Sequence, residues 1–204
     1  ADGYIIYWNE NTSLWECKPL SLSKIIDADG DTKIDVEHSP DEDKIRMFVN
    51  AVESFLLNDQ GILTFAKQSS ARAEMTGSQS IPNNEWTKVQ YNTEIYDIQN
   101  EYDPTINHRF TAKAPGLYLI ELTARFQTFP EDGSIEIAIA KNGSRVAAAR
   151  MSKSVPNAQY LPCASLVQLA KDDYIEGQVK QASGSSQNVD SSSPTTHIVI
   201  HKIS

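Results

Sequence analysis

The chain repeatedly alternates apolar and polar residues over short runs, which is the pattern of β-strands that bury one face. Within residues 118–126 every second position is apolar, namely Tyr118, Ile120, Leu122, Ala124 and Phe126. Other strand-like runs are predicted at Val89 with Tyr91 and at 135–140, 146–151, 165–169, 174–180 and 197–203. Because turn-rich segments separate these runs, the sequence from Ser69 onward predicts an all-β sandwich or barrel.

Two segments of this C-terminal part carry turn and loop signals. The sequence Lys141-Asn142-Gly143-Ser144 predicts a tight hairpin, because Asn-Gly accepts the positive φ angles of a two-residue turn. Residues 182–194 are rich in Ser, Gly and Asn. We predict that they form a solvent-facing loop long enough to contact a partner.

The N-terminal third has a different organisation. Apolar residues alternate in 4–8 and again in 15–17, which predicts one or two edge strands. An acidic turn at 27–32 is followed by strict alternation in 33–37, which predicts a further strand.

Residues 39–57 fit two interpretations. The sequence Ser39-Pro40-Asp41-Glu42 caps helices, and the apolar residues from Ile45 to Leu56 follow helical spacing. The segment also resembles a β-meander motif of phage tail-fibre and bacterial surface-fibre shafts, here at 43–47, 49–53 and 58–62. We favour strands, although Ala51 stands where that motif usually has the glycine that suits a tight turn. Such a shaft cannot bury its apolar face alone, so three chains would have to wrap together.

Aromatic, acidic and glycine residues recur between positions 91 and 120 at the spacing of a known β-sandwich head. They are Tyr91, Asp97, Tyr102, Phe110, Gly116, Tyr118 and Ile120. Together with Ala71-Arg72-Ala73 and the closing strand 197–203, they resemble the globular head of complement C1q and its tumour-necrosis-factor-like relatives over residues 69–204. The resemblance implies a jelly-roll β-sandwich that forms a homotrimer. The family commonly has Gly where Asp172 stands, a position at which Asp tolerates a left-handed turn.

The resemblance also implies the domain organisation and the roles of these residues. We expect an N-terminal stalk or shaft-like segment at 1–66 and a C1q/TNF-like head at 67–204. Heads of this type bind partners and do not catalyse reactions, so we expect no enzyme activity. The residues expected to form the core and the trimer are Tyr91, Tyr102, Phe110, Gly116, Tyr118 and Ile120.

The order of stalk and then head predicts the distal part of a homotrimeric fibre, either a phage tail fibre or a bacterial surface appendage. Its location would be extracellular, on a virion or a cell surface, and its head would adhere to a cell-surface receptor or glycan. We place receptor binding in long loops, at Asp132, Tyr160, Gln187, Asn188 and Asp190. The alternative is a purely structural head that holds the fibre's trimer together and has no ligand.

The charge and the apolar runs exclude two classes of partner. The formal net charge is −9, without the clusters of Lys and Arg that binding to nucleic acid requires. No apolar run approaches the roughly 20 residues that cross a bilayer, so we expect no membrane insertion. The opening sequence Ala1-Asp2-Gly3 leads us to expect a piece of a longer protein.

The candidate metal ligands do not form a recognisable site. Asp27, Asp29 and Asp31 begin like a calcium loop, but Thr32 replaces its glycine and His38 its bidentate glutamate, so we interpret them as an acidic turn. We therefore assign no cofactor and no metal. Calcium, which some heads of this family bind near the trimer axis, has no residues assigned here.

The histidines and cysteines are separated as well. In a strand, His197 and His201 lie about 13 Å apart, too far for one ion, although copies of a strand histidine meet if they line a trimer axis. Cys17 and Cys163 permit one disulfide, but we favour two separate buried thiols.

Overall fold

The structure is a computed structural model, and it describes residues 4–19, 24–36, 38–129, 133–153, 157–190 and 195–204. The chain forms two compact units, residues 1–67 and residues 68–204. The described residues form strands and turns and contain no helix, so the all-β prediction is confirmed.

The first unit contains a hairpin and a small antiparallel sheet. The hairpin joins β1 (Tyr4–Asn9) and β2 (Leu14–Pro19). The sheet has the order β3-β4-β5-β6-β7, with β3 (Lys24–Ile26), β4 (Lys33–Val36), β5 (Ile45–Val49), β6 (Val52–Leu57) and β7 (Leu63–Thr64).

The capped helix that local spacing allows in residues 39–57 does not form, and the β interpretation is confirmed. The apolar residues of this segment also fit a period of two, and strand pairing aligns them with apolar residues on neighbouring strands. One row across the sheet is Ile25, Ile34, Met47 and Phe55, and the next is Val36, Ile45, Leu57 and Leu63. The turn between β5 and β6 places Asn50 and Ala51 at φ angles of 50° and 58°, so Ala51 adopts a conformation that favours glycine.

The opposite face of this small sheet mixes charged and apolar side chains, and its charged side chains are grouped around Asp35. Its side chain is fully buried, 3.4 Å from Lys24 Nζ, 3.8 Å from Lys33 Nζ and 2.9 Å from His38 Nδ1. Burial alone raises the pKa of Asp35, but the hydrogen bonds from His38 and Lys24 outweigh it, so the pKa is lowered overall. One face of the small sheet is therefore lined with apolar residues, and the other carries the charged group around Asp35.

The described residues of the second unit form thirteen strands, numbered onward from the first unit. They are β8 (Ser70–Glu74), β9 (Ser78–Ile81), β10 (Thr87–Lys88), β11 (Thr93–Asp97), β12 (Tyr102–Asp103), β13 (Arg109–Thr111), β14 (Gly116–Phe129), β15 (Gly133–Lys141), β16 (Ser144–Lys153), β17 (Asn157–Leu169), β18 (Tyr174–Ala182), β19 (Gln187–Asp190) and β20 (His197–Lys202).

These strands form two sheets that enclose one core. The front sheet has the order β11-β8-β20-β14-β19-β9, with β17 also paired to β14. The back sheet has the order β12-β13-β18-β15-β16, with β10 paired to β18. The alternation predicted for 118–126 is confirmed, since its five apolar residues are all buried in the core, together with Ile135, Ile137 and Ile139 of the back sheet. This arrangement is a jelly-roll sandwich.

The strand predicted at Val89 with Tyr91 does not form, because these residues lie between β10 and β11. Tyr91 is nevertheless fully buried and reaches both sheets: its hydroxyl donates a hydrogen bond to Thr123 O on β14 at 3.4 Å. On the back sheet it lies against Gly177, where an added Cβ would be 2.8 Å from the Tyr91 ring. The spaced aromatic residues, and not alternation, predicted Tyr91 as a core residue, and its ring packs between the two sheets.

The turn chemistry follows the sequence closely. Lys141 pairs with Ser144, and Asn142 and Gly143 take φ angles of 50° and 79°, as the two-residue hairpin requires. Asp172 takes a φ of 70°, so it occupies the left-handed conformation for which the family commonly uses glycine.

The loop predicted for 182–194 is wrong in part. Residues 187–190 form β19, which pairs with β9 along its length and with Phe126 of β14. The local sequence is polar and lacks a strand-like run, so only pairing with these distant partners selects the extended conformation. Residues 191–194 of the predicted loop lie outside the described residues.

The buried tyrosines predict a loss of stability at alkaline pH. Burial raises the pKa of Tyr91 and of Tyr102, and the Tyr102 hydroxyl also donates to Tyr91 O at 3.0 Å. In the unfolded chain both phenols ionise near pH 10, whereas the folded chain keeps them protonated. The free energy of unfolding should therefore fall above about pH 10, by up to about 1.4 kcal/mol per pH unit for each tyrosine.

Urea unfolding midpoints measured between pH 8 and 11 test this slope. Tyr102→Phe, which retains the ring, should be less stable at pH 8 and should lose stability less steeply above pH 10. Equal slopes for the two proteins would contradict the assignment to Tyr102.

Candidate functional site

The surface of the front sheet that points away from the core, here called the front face, carries exposed apolar side chains. Leu119 on β14 pairs directly with Leu166 on β17 and with His201 on β20. The two leucines, here called the leucine pair, are 40% and 56% exposed, although the residues that alternate with Leu119 are fully buried. The next row contains Ala164, Glu121 and Val199, which continues a mixed surface across the strands.

A group of polar side chains lies farther along β14 on the same face. Arg125 pairs across the strands with Tyr160 on β17, and its Nε donates a hydrogen bond to the Tyr160 hydroxyl at 3.2 Å. The Arg125 guanidinium also forms an ion pair with both carboxylate oxygens of Asp190 on β19. This hydrogen-bonded pairing with Asp190 raises the pKa of Arg125. Tyr160 remains 49% exposed.

The neighbouring residues of β19 extend this polar group. Val189 is buried opposite Phe126, so alternation places Asn188 and Asp190 on the front face. A shallow cavity of about 220 Å³ is lined by Gln127, Ser186, Gln187 and Asn188. We call Arg125, Tyr160, Asn188 and Asp190 the polar end of the front face.

The structure therefore brings together several residues predicted for receptor binding, but not in loops. Tyr160 lies in β17, and Gln187, Asn188 and Asp190 lie in β19, so the loop placement of these four is wrong. Asp132 lies outside the described residues. Sequence reasoning missed Arg125, which joins Tyr160 to Asp190. Its position on the polar face of the 118–126 alternation was the available signal.

The residues predicted to form the core and the trimer lie beneath this face. Tyr91, Tyr102, Phe110, Tyr118 and Ile120 are buried within one protomer, and the rings of Phe110 and Tyr118 pack edge to face at 5.7 Å. At Gly116 an added Cβ would collide with Ser204 O and lie 2.6 Å from Lys202 Cε, so only glycine leaves room for the C-terminal segment.

The acidic turn is the one cluster of possible metal ligands among the described residues. Asp27, Asp29 and Asp31 bring carboxylate oxygens within 4.8 Å of one another. Asp27 Oδ1 accepts hydrogen bonds from the backbone N–H groups of Gly30 and Thr32, both at 3.1 Å, which accounts for this residue as part of a turn. Both cysteines are free, and only Cys163 is buried, so the prediction of a buried Cys17 thiol is wrong.

Comparisons with known proteins agree with this fold. The model of the C1q domain family matches residues 70–197, and the chain belongs to that family. The structure resembles Eiger TNF from S. frugiperda with a TM-score of 0.50 and 10% identity, over 68% of this chain and 94% of that one. It resembles murine APRIL, solved at pH 5.0, with a TM-score of 0.52 and 14% identity, over 67% of this chain and all of that one. Among curated proteins, none matches the chain.

These findings confirm the predicted C1q/TNF-like head and its jelly-roll fold. Domains of this class are typically extracellular, commonly trimerise and bind ligands, and are typically non-enzymatic. No helix among the described residues is long and apolar enough to span a membrane.

Proposed function

We propose that the chain is the distal part of a homotrimeric fibre, with a stalk at 1–66 and a non-enzymatic head at 67–204 that binds a cell-surface receptor or glycan. The fibre would belong to a phage tail or a bacterial surface appendage and would act outside the cell. Membership of the C1q family supports the head, and the shaft-like motif in the first unit motivates the fibre.

The exposed leucine pair is the main observation that supports a trimer. Leu119 and Leu166, paired directly across β14 and β17, leave two large apolar side chains exposed to water on a mixed surface, as is common at an interface. Burying this surface against the same face of other copies would stabilise a closed symmetric assembly. The first unit supports the same proposal, because its two apolar rows lie on one face of a single-layer sheet.

The polar end supplies the proposed ligand contacts. Its exposed tyrosine and amide groups are of the kind that bind sugars, through stacking on the ring and hydrogen bonds to hydroxyls, and its carboxylate is 14% exposed and paired with Arg125. Three copies in one assembly would raise the avidity of a weak contact through effective concentration. Tyr160, Gln187, Asn188 and Asp190 are therefore proposed contacts, with Arg125 holding Tyr160 and Asp190 in place.

A purely structural head is the second candidate, and one observation favours it. Arg125, Tyr160 and Asp190 already satisfy one another, so they need no ligand to complete their hydrogen bonds. Both candidates predict a trimer, and only the first predicts saturable adhesion to cells.

The mass of the purified chain tests the architecture shared by both candidates. Light scattering should give about 68 kDa, three times the chain mass of 22.7 kDa. A mass of 22.7 kDa at micromolar concentration would exclude the trimeric fibre and the avidity mechanism together.

Changing the polar end should weaken adhesion while leaving the trimer intact. Tyr160→Ala combined with Asn188→Ala should weaken binding to host cells or to a glycan array at least about tenfold, since each lost contact of about 1.4 kcal/mol is a factor of ten. Tyr96→Ala is the control, because Tyr96 is 41% exposed on β11 of the same sheet. A trimer that never adheres saturably would favour the structural head.

A further inference from the structure

The surface of the back sheet that points away from the core, here called the back face, carries an arginine stacked on a tryptophan. The guanidinium of Arg145 on β16 lies 4.6 Å from the ring centroid of Trp86. Its Nη1 donates a hydrogen bond to Gln178 Oε1 on β18 at 3.2 Å. A planar guanidinium held by a ring and an amide has few orientations left, so the cost of ordering it on a ligand is largely removed.

Strand register places this arrangement on the back face. Arg145 pairs with Ala140, and Ala140 alternates along β15 with core residues such as Ile139. Lys88 pairs with Gln178 and therefore points to the same side. The front face lies on the opposite side of the sandwich, so an assembly through the leucine pair leaves Arg145 accessible.

Among the residues that the structure describes, Arg145 has no acidic partner, in contrast to three of the other five arginines. Arg46, Arg72 and Arg125 form ion pairs with carboxylates of this protein. Within the part of the chain that the structure describes, no carboxylate lies within 4.0 Å of the Arg145 guanidinium, which is exposed. Its positive charge is therefore available to a ligand.

Other charged groups share the back face with Arg145. Arg109 on β13 stacks on Tyr174 at 4.2 Å, so a second guanidinium is held on an aromatic ring of the same face, and Asp103 on β12 pairs with Arg109 in the strand register. Glu176 is nearly buried, and Lys88 lies 3.4 Å from its carboxylate, which offsets the nearest acid of β18. In the strand register, Glu136 on β15 lies between Lys180 on β18 and Arg150 on β16.

We propose that Arg145, held by Trp86 and Gln178, binds the anionic group of an acidic sugar, a carboxylate or a sulfate. The fork of guanidinium N–H donors matches two oxygens of such a group, and the exposed edge of the stacked pair accepts the sugar ring beside it. The proposal rests on the proposed function, in which the head binds a glycan, and it names the class of that glycan and a contact site apart from the polar end.

Titration calorimetry of the full chain with small saccharides tests this site. The probes are 3′-sialyllactose for a carboxylate, 6-sulfolactose for a sulfate, lactose as the neutral sugar and a hexaglutamate peptide as an anion without a sugar. We expect one or both acidic sugars to bind at least about tenfold more tightly than lactose and the peptide, with the tighter of the two identifying the anion. Binding should weaken as salt is raised from 0.05 to 0.5 M, because the contact is exposed to screening.

Three variants assign the binding to Arg145. Arg145→Ala should reduce the affinity at least about tenfold, and Arg145→Lys should also weaken it, because lysine keeps the charge but loses the planar fork and the stacking. Lys171→Ala removes one exposed positive charge elsewhere in the head and should leave the affinity unchanged. Circular dichroism of each variant checks that the fold is retained.

Absence of binding, equal binding of lactose or of the peptide, or an unchanged affinity of Arg145→Ala would each overturn the proposal. A negative result for the acidic-sugar site can be distinguished from a negative result for the proposed function. A chain of about 68 kDa that adheres saturably to cells through the polar end, but is indifferent to Arg145→Ala, would leave the fibre-tip function standing without the acidic-sugar site.

Discussion

Replacing both members of the leucine pair with glutamate, Leu119→Glu and Leu166→Glu, should convert the proposed trimer of about 68 kDa into a monomer of 22.7 kDa. In the proposed trimer, these substitutions would place six carboxylates in the interface. Burying an unpaired charge costs several kcal/mol, and the like charges also repel one another. Light scattering at micromolar concentration measures the change directly. The fold of each protomer should persist, because both leucines are substantially exposed within it.

A matched pair of substitutions on other surfaces controls for added charge. Val146 and Ile106 are 47% and 82% exposed apolar residues, in and next to strands of the back sheet. Val146→Glu with Ile106→Glu adds the same number of negative charges and should leave the mass at three chains. A trimer that survives the leucine substitutions would show that the copies associate through another surface.

The second large effect is a loss of stability when the buried Tyr91 side chain, which packs between the two sheets, is removed. Tyr91→Ala should lower the free energy of unfolding by about 3–5 kcal/mol, the usual cost of removing a large buried aromatic side chain. The ring is fully buried, its hydroxyl reaches Thr123 O on the front sheet, and it packs against Gly177 on the back sheet. Urea unfolding at fixed protein concentration measures the loss. Tyr96→Ala, which removes an exposed tyrosine, should cost less than about 1 kcal/mol.

The contact between the Tyr91 ring and Gly177 predicts that substitutions at these two positions have non-additive effects on the free energy of unfolding. An alanine there would place its Cβ 2.8 Å from Tyr91 Cε2, closer than real Cβ contacts allow, and 3.0 Å from the hydroxyl. Gly177→Ala alone should therefore cost about 1–3 kcal/mol through overpacking. In the Tyr91→Ala background the added methyl group enters the space left by the ring and should cost little. Additive losses in the double variant would show that Tyr91 is not what limits space at Gly177.

Much of the head was predictable because its signals are local or recur at fixed spacing. Alternation in 118–126 identified the buried side of β14, since successive strand residues point to opposite faces. Asn142-Gly143 identified a hairpin because few dipeptides accept two positive φ angles. The spaced residues from Tyr91 to Ile120 identified the family, because together they fill the positions of one shared core.

The candidate binding groups were harder to predict, because each depends on which strands become neighbours. Arg125 meets Tyr160 and Asp190 from 35 and 65 residues away along the chain. Polar residues 187–190 resemble a loop until β9 and β14 offer their backbone groups for pairing. The helical spacing of 45–56 was equally misleading, since the apolar rows of the small sheet give the same residues a different shared face.

The sequence by itself determined the class of fold, the turns and the residues that fill the core, because these follow from side-chain periodicity and backbone preference within short segments. Only the tertiary structure decided that the leucine pair lies exposed on one sheet, that the polar end forms around Arg125, and that Arg145 rests on Trp86 of the other sheet. These surfaces are assembled from distant segments, and strand order and register, which depend on the whole chain packing at once, bring their side chains together.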